Sequence, residues 1–187
     1  MNYLKSIKQS FLLAALFCPF FLQAQSNYST RNGKISFFSS TPLEDIKAAS
    51  NNGTAVLLSK TKDIAFQVPI KSFQFEKGLM QEHFNENYME SDKYPVAKFK
   101  GKLNQDIDLS KNGEYDVTST GTLSLHGVDK PRTISGKLKV SDGKVQLISN
   151  FNVACVDHNI KIPTIVIAKV AEIIAVKVDA VLTPLTK

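Results

Sequence analysis

Tryptophan is absent from this chain of 187 residues, histidine occurs only three times and cysteine only twice. Each shortage removes a class of explanation. Of the two cysteines, Cys18 sits in an apolar N-terminal run and Cys155 stands alone beyond it, so the body of the protein cannot close an internal disulfide and must be held by packing. A lone thiol in an oxidising compartment is a liability, so Cys155 is expected to be a buried, small apolar residue rather than a reactive group. No Gly-x-Ser-x-Gly elbow and no glycine-rich phosphate loop is present, which leaves the common hydrolase and nucleotide chemistries without their motifs. Nor is there a polybasic run dense enough for nucleic acid, although the formal charge is +6.

Long hydrophobic runs are also missing, with one exception at the N-terminus. Lys5 and Lys8 precede an almost wholly apolar stretch from Phe11 to Leu22, and Ala24 offers a small residue for cleavage. That is the pattern of an export leader, residues 1–24, with the mature domain spanning residues 25–187. The later stretch from Ile160 to Leu182 is broken by charges and a proline, so a soluble, periplasmic or secreted protein is expected. The remaining 163 residues are enough for one domain with a substantial core.

What is plentiful is strand signal. "DIAFQVPI" puts Ile64, Phe66, Val68 and Ile70 on one face; "AKFKGKL" sets Phe99 and Leu103 against Lys98, Lys100 and Lys102; "IIAVKVDAVL" sets Ile174, Val176 and Val178 against Lys177 and Asp179. Such alternation marks half-buried antiparallel strands. Further strands are expected over residues 34–40, 54–59, 114–126, 132–141 and 144–154, with Asp142-Gly143 as a tight hairpin turn. Parity shifts twice. One shift lies between Ile70 and Phe73-Phe75, next to Pro69, where a bulge or bend is expected; the other follows Leu123 and Leu125 at His126-Gly127, where a bend in a barrel wall is expected. Only "GLMQEHFNENYMES" reads as helical, through Met80, Phe84 and Tyr88. The fold class is therefore all-β, a single domain of about eight antiparallel strands with one short helix, closed into a barrel or packed as a sandwich; a barrel would remove the exposed edges.

Candidate chemistry is sparse. His83, His126 and His158, with Glu82 and Asp157 as oxygen donors, suggest a metal, but no two histidines have the spacing of a metal motif. His126 is read chiefly as bonding backbone groups left unpaired at the bend, with a polar contact to a ligand as the alternative. Phe66, Phe73, Phe75, Phe84, Phe99 and Phe151 suit either an ordinary core or the wall of an apolar pocket, as do the inward positions Val68, Leu123, Leu125, Val176 and Val178. Asp106 and Asp108 read as a solvated loop, and the alternating lysines as an outer face that leaves loose contact with anionic membranes open. No cofactor is implied, and nothing in the residues sets the oligomeric state.

Three segments then carry a resemblance: "IKSFQFEKGLMQEHFNENYMESDKYPVAKFKGKL", "GTLSLHGVDKPRTISGKLKV", and "VDHNIKIP" followed by "AEIIAVKVDAVL". Together, and in this order from about Ser36 to Leu182, they resemble the YceI-like family of exported, lipocalin-like proteins that bind polyisoprenoid lipids. The resemblance implies an elongated barrel whose apolar lumen sheathes one lipid tail, and it shifts the phenylalanines from core towards ligand wall. The expected activity is non-enzymatic binding of a polyisoprenoid, an isoprenoid quinone or a similar amphiphile. Two rivals stand beside it. An exported metal-dependent hydrolase requires the three histidines to converge, and a ligand-free interaction module requires a lumen filled by side chains.

Overall fold

The computed structural model describes residues 27–163 and 168–185; the expected leader lies outside them. Eight long strands are present: β1 (Asn27–Ser40), β2 (Asp45–Leu58), β3 (Asp63–Pro69), β5 (Val96–Leu103), β6 (Gly113–Leu125), β7 (Val128–Ser141), β8 (Lys144–Ala154) and β9 (Ile173–Pro184). A two-residue strand, β4 (Gln74–Phe75), pairs with β2. All pairings are antiparallel, in the order β1-β9-β8-β7-β6-β5-β3-β2, and β2 pairs back onto β1. That last ladder closes the barrel and leaves none of the eight strands with an open edge.

The alternating pattern of each strand survives as alternating burial. The apolar residues picked out by parity on β5, β6 and β9 face inward, and Lys98, Lys100, Lys102 and Lys177 face solvent. Both parity shifts have a local cause. After β3 the chain makes one 3-10 turn, Ile70–Ser72, capped by Phe73 N–H donating to the Ile70 carbonyl, before resuming beside β2 as β4. A helical turn thus occupies the place expected of a bulge or bend.

The second shift is a hairpin rather than a bend within one wall. Leu125 pairs directly with Val128, leaving His126 and Gly127 as a two-residue turn with φ of 50° and 73°. Directly paired residues share a face, so the three-residue step across such a turn moves the apolar set from odd to even numbers. Asp142-Gly143 makes the same kind of turn between β7 and β8, with Ser141 opposite Lys144, as the sequence led one to expect.

The helical segment packs over one end of the barrel. It comprises α1 (Gly78–His83) and a five-residue π-helical turn, Phe84–Tyr88. No helix among the described residues is long and apolar enough to cross a membrane. Around the opposite end the barrel is solid: Leu138 and Val145 have no exposed surface, and Leu57, Ala180 and Leu182 have 1%. Tyr28 closes that end by donating its hydroxyl to the Leu109 carbonyl in the β5–β6 loop.

Candidate functional site

The lumen is packed at one end and hollow towards the other. Above the solid end lies an apolar cavity of about 560 Å³, within the roughly 300–1,000 Å³ usual for small-molecule sites. Ile35, Ile64, Leu103, Val117, Leu147 and Val178 form its floor, Gly136 completes it on β7, and on β7, β8 and β9 the next inward residues, Leu138, Val145 and Ala180, belong to the solid end.

All eleven positions proposed from the sequence as a ligand wall face this one cavity. Phe66 and Val68 come from β3, Phe99 from β5, Leu123 and Leu125 from β6, Phe151 from β8, and Val176 and Val178 from β9. Phe73 and Phe75 enter from the 3-10 turn and β4, and Phe84 from the π-helical turn. Register explains why they meet. Phe66 is opposite Phe99, Phe99 opposite Leu123, and Phe151 opposite Val176, so alternation within strands becomes a continuous ring across them.

Near the helical end the ring narrows into an aromatic collar. Phe84 lies 5.0 Å from Phe75, 5.7 Å from Phe73 and 5.4 Å from Phe37, the last nearly parallel at 28°. Phe37, which is not among the eleven proposed wall positions, touches all three partners and pairs with Val176. Its parity with Ile35 in "ISFF" was the available signal. Among the described residues, Ser39, Ser119 and Ser149 are the buried polar side chains in the lining; Ser149 donates to the Ser135 carbonyl, and the Ser119 hydroxyl has no partner among them. At the rim, Lys77, Leu79, His83 and Lys169 are exposed, so the cavity meets solvent beside α1.

The histidines do not form a metal centre. His83 is on the exposed rim, whereas His126 and His158 lie at the β6–β7 turn and in the 3-10 turn Cys155–His158 after β8. Glu82 and Asp157 are exposed, and among the described residues no group of three or more His, Cys, Asp and Glu side chains could hold a metal ion. His126 does not face the cavity. Its Nδ1 donates to the His158 carbonyl at 3.0 Å, its Nε2 lies 2.9 Å from Glu90 Oε2, and its ring meets Tyr94 edge-on at 4.5 Å. The ring therefore ties the turn to two other segments rather than bonding the turn's own backbone. His158 is wholly buried, its Nδ1 donates to the Val128 carbonyl, and burial pushes its pKa below the ordinary imidazole value. Cys155 is buried in the lining, where loss of solvent raises the thiol pKa above its usual range.

Comparison with known proteins agrees with this architecture. A polyisoprenoid binding domain from Saccharophagus degradans, described as implicated in plant cell wall breakdown, superposes with a TM-score of 0.73 at 12% identity, covering 86% of this chain and 99% of that one. BcnA of Burkholderia cenocepacia gives 0.66 at 12% identity, covering 81% and 96%. The YceI protein of Campylobacter jejuni gives 0.59 at 19% identity, covering 75% and 85%. At these identities the three establish a shared fold. Comparison with curated protein sequences gives no match. The model of the YceI-like domain matches residues 20–182, running from before β1 into β9, and with the closed barrel already in view the chain belongs to the YceI-like domain family.

Proposed function

We propose that this protein is an exported, non-enzymatic carrier that holds one long apolar chain, an isoprenoid lipid, an isoprenoid quinone or a similar amphiphile, inside the barrel. The observation that carries the reading is the hollow end of the lumen. Protein interiors are close-packed, and at about 24 cal/mol per Å³ an empty apolar void of 560 Å³ would cost, as an upper bound, on the order of 13 kcal/mol. That rivals the whole stability of a typical domain, ~5–15 kcal/mol. Water entering at the rim relieves little of it, because the walls are almost wholly apolar.

An apolar chain fills the space and gains roughly 0.8 kcal/mol per buried methylene before ordering costs. No charged partner is needed in the lumen for tight binding. The aromatic collar supplies large apolar area around the chain near the entrance, and the exposed rim leaves room for a polar head in water. The Saccharophagus domain, named for polyisoprenoid binding, points in the same direction. An interaction module with no ligand has no use for the void.

Leu125→Trp tests this. Leu125 is half-buried at the upper end of β6 and faces the cavity. With a ligand-holding lumen, the indole occupies ligand volume: bound lipid falls severalfold, while the delipidated variant melts close to delipidated wild type. In a completely filled barrel, overpacking costs about 1 to 3 kcal/mol and there is no lipid to lose. Delipidating both proteins prevents ligand linkage from passing as packing. A large stability loss together with no extractable lipid in wild type would overturn the proposal.

A further inference from the structure

We propose that the floor of the cavity is a length ruler: the lumen accepts a chain of about 16 bonds, and Val117 and Leu147 set where the chain must stop. This rests on the carrier reading and makes its ligand more specific. On β6 the lining runs from Val117 at the floor to Leu125 near the rim, eight residues apart. At ~3.3 Å per residue that is ~26 Å of strand, or roughly 20 Å along the axis for strands tilted by about 40°. An extended chain advances about 1.2 Å per bond, since three backbone bonds span ~3.3–3.6 Å, so the depth corresponds to about 16 bonds or four isoprene units.

The floor is rigid because of what lies under it. Leu138 pairs directly with Leu147 and, like Val145, has no exposed surface, so a chain end reaching Leu147 has no yielding side chain to push aside. Val117 pairs with Gly136, which contributes no side chain on the neighbouring strand. The floor is therefore shallowest in side-chain volume beside Val117, and a larger residue there has room to rise into the chain's path. A chain longer than the ruler can only extend past the rim into water, where further methylenes contribute nothing.

The test uses purified, delipidated protein and a homologous series of straight-chain primary alcohols, read by displacement of a fluorescent apolar probe. Wild type should gain about fourfold in affinity per added methylene and then level off near 16 chain bonds. Leu147→Ala should move that plateau about two bonds longer, and Val117→Phe two or more bonds shorter, with melting curves confirming that both variants fold. Opposite shifts in two variants separate a ruler from general loosening of the fold. A plateau at the same length in all three proteins, or affinity that rises without limit, overturns the ruler and leaves the carrier intact. Failure of every alcohol to displace the probe from any of the three proteins overturns the carrier reading itself.

Discussion

Replacing Gly127 by alanine probes the turn between β6 and β7, and a matched control exists in the same barrel. Gly127 has φ of 73°, and a Cβ built there would lie 2.5 Å from Tyr94 Cε1 and 3.1 Å from Cδ1 and Cζ. Gly143 occupies the equivalent place in the β7–β8 turn with φ of 70°, and nothing lies within 4 Å of its Cβ position. The backbone penalty for an L-residue in this region is about 1–2 kcal/mol and applies to both sites. Only at Gly127 must a ring move, and moving Tyr94 gives up its edge contact with His126, worth about 0.5–1.5 kcal/mol. Gly143→Ala should therefore cost about 1–2 kcal/mol and Gly127→Ala about 1.5–3.5 kcal/mol, read as urea midpoints at unchanged m. His126→Asn keeps a residue that tolerates positive φ, so it should escape the backbone penalty and lose only the ring's contacts with Glu90, His158 and Tyr94. Equal costs at the two glycines would refute the steric argument, and no cost at Gly143 would refute the backbone argument.

Three other results are expected. His158 is neutral and buried, with its pKa lowered by burial, so the unfolded chain takes up a proton below pH ~6.5 that the folded chain refuses; stability should be complete above that pH and fall as pH drops through it, and His158→Gln should flatten the dependence of urea midpoints between pH 7 and 5. For Cys155 the raised thiol pKa has the opposite direction: stability is lost as pH climbs past the usual thiol range, and a disulfide exchange reagent at pH 8 should label the thiol slowly in the native protein and quickly after unfolding. A double-mutant cycle replacing Phe37 and Phe84 by leucine should show coupling of about 0.5–1.5 kcal/mol, against no coupling between Phe84 and the distant Leu182.

The strand pattern made much of the barrel legible, because alternation is a property of each segment alone. β8 is Lys144–Ala154, as expected, and all eleven proposed wall residues converge on the cavity because parity and antiparallel register suffice to aim them. The parity shift at His126 was visible, but its meaning depended on whether Leu125 and Val128 pair, which is a contact between strands. Likewise, "IKS" carries no helical periodicity at three residues, so the 3-10 turn looked like any irregularity in a strand. Glu90 lies 36 positions from His126, and no local pattern could join them. The hollow was least legible of all. Whether a barrel is filled depends on side-chain volumes summed around eight strands at one level, and Val117 beside Gly136 at the floor is a fact of register.

The most direct measurement of the central claim is native mass spectrometry of the purified protein, followed by organic extraction and identification of whatever is released. The carrier account predicts a discrete mass adduct on wild type that disappears on delipidation, that organic solvent recovers as a single-chain apolar molecule, and that Leu125→Trp retains poorly. A protein that always flies at its bare polypeptide mass, yields no lipid on extraction, and melts identically before and after the delipidation step would contradict it.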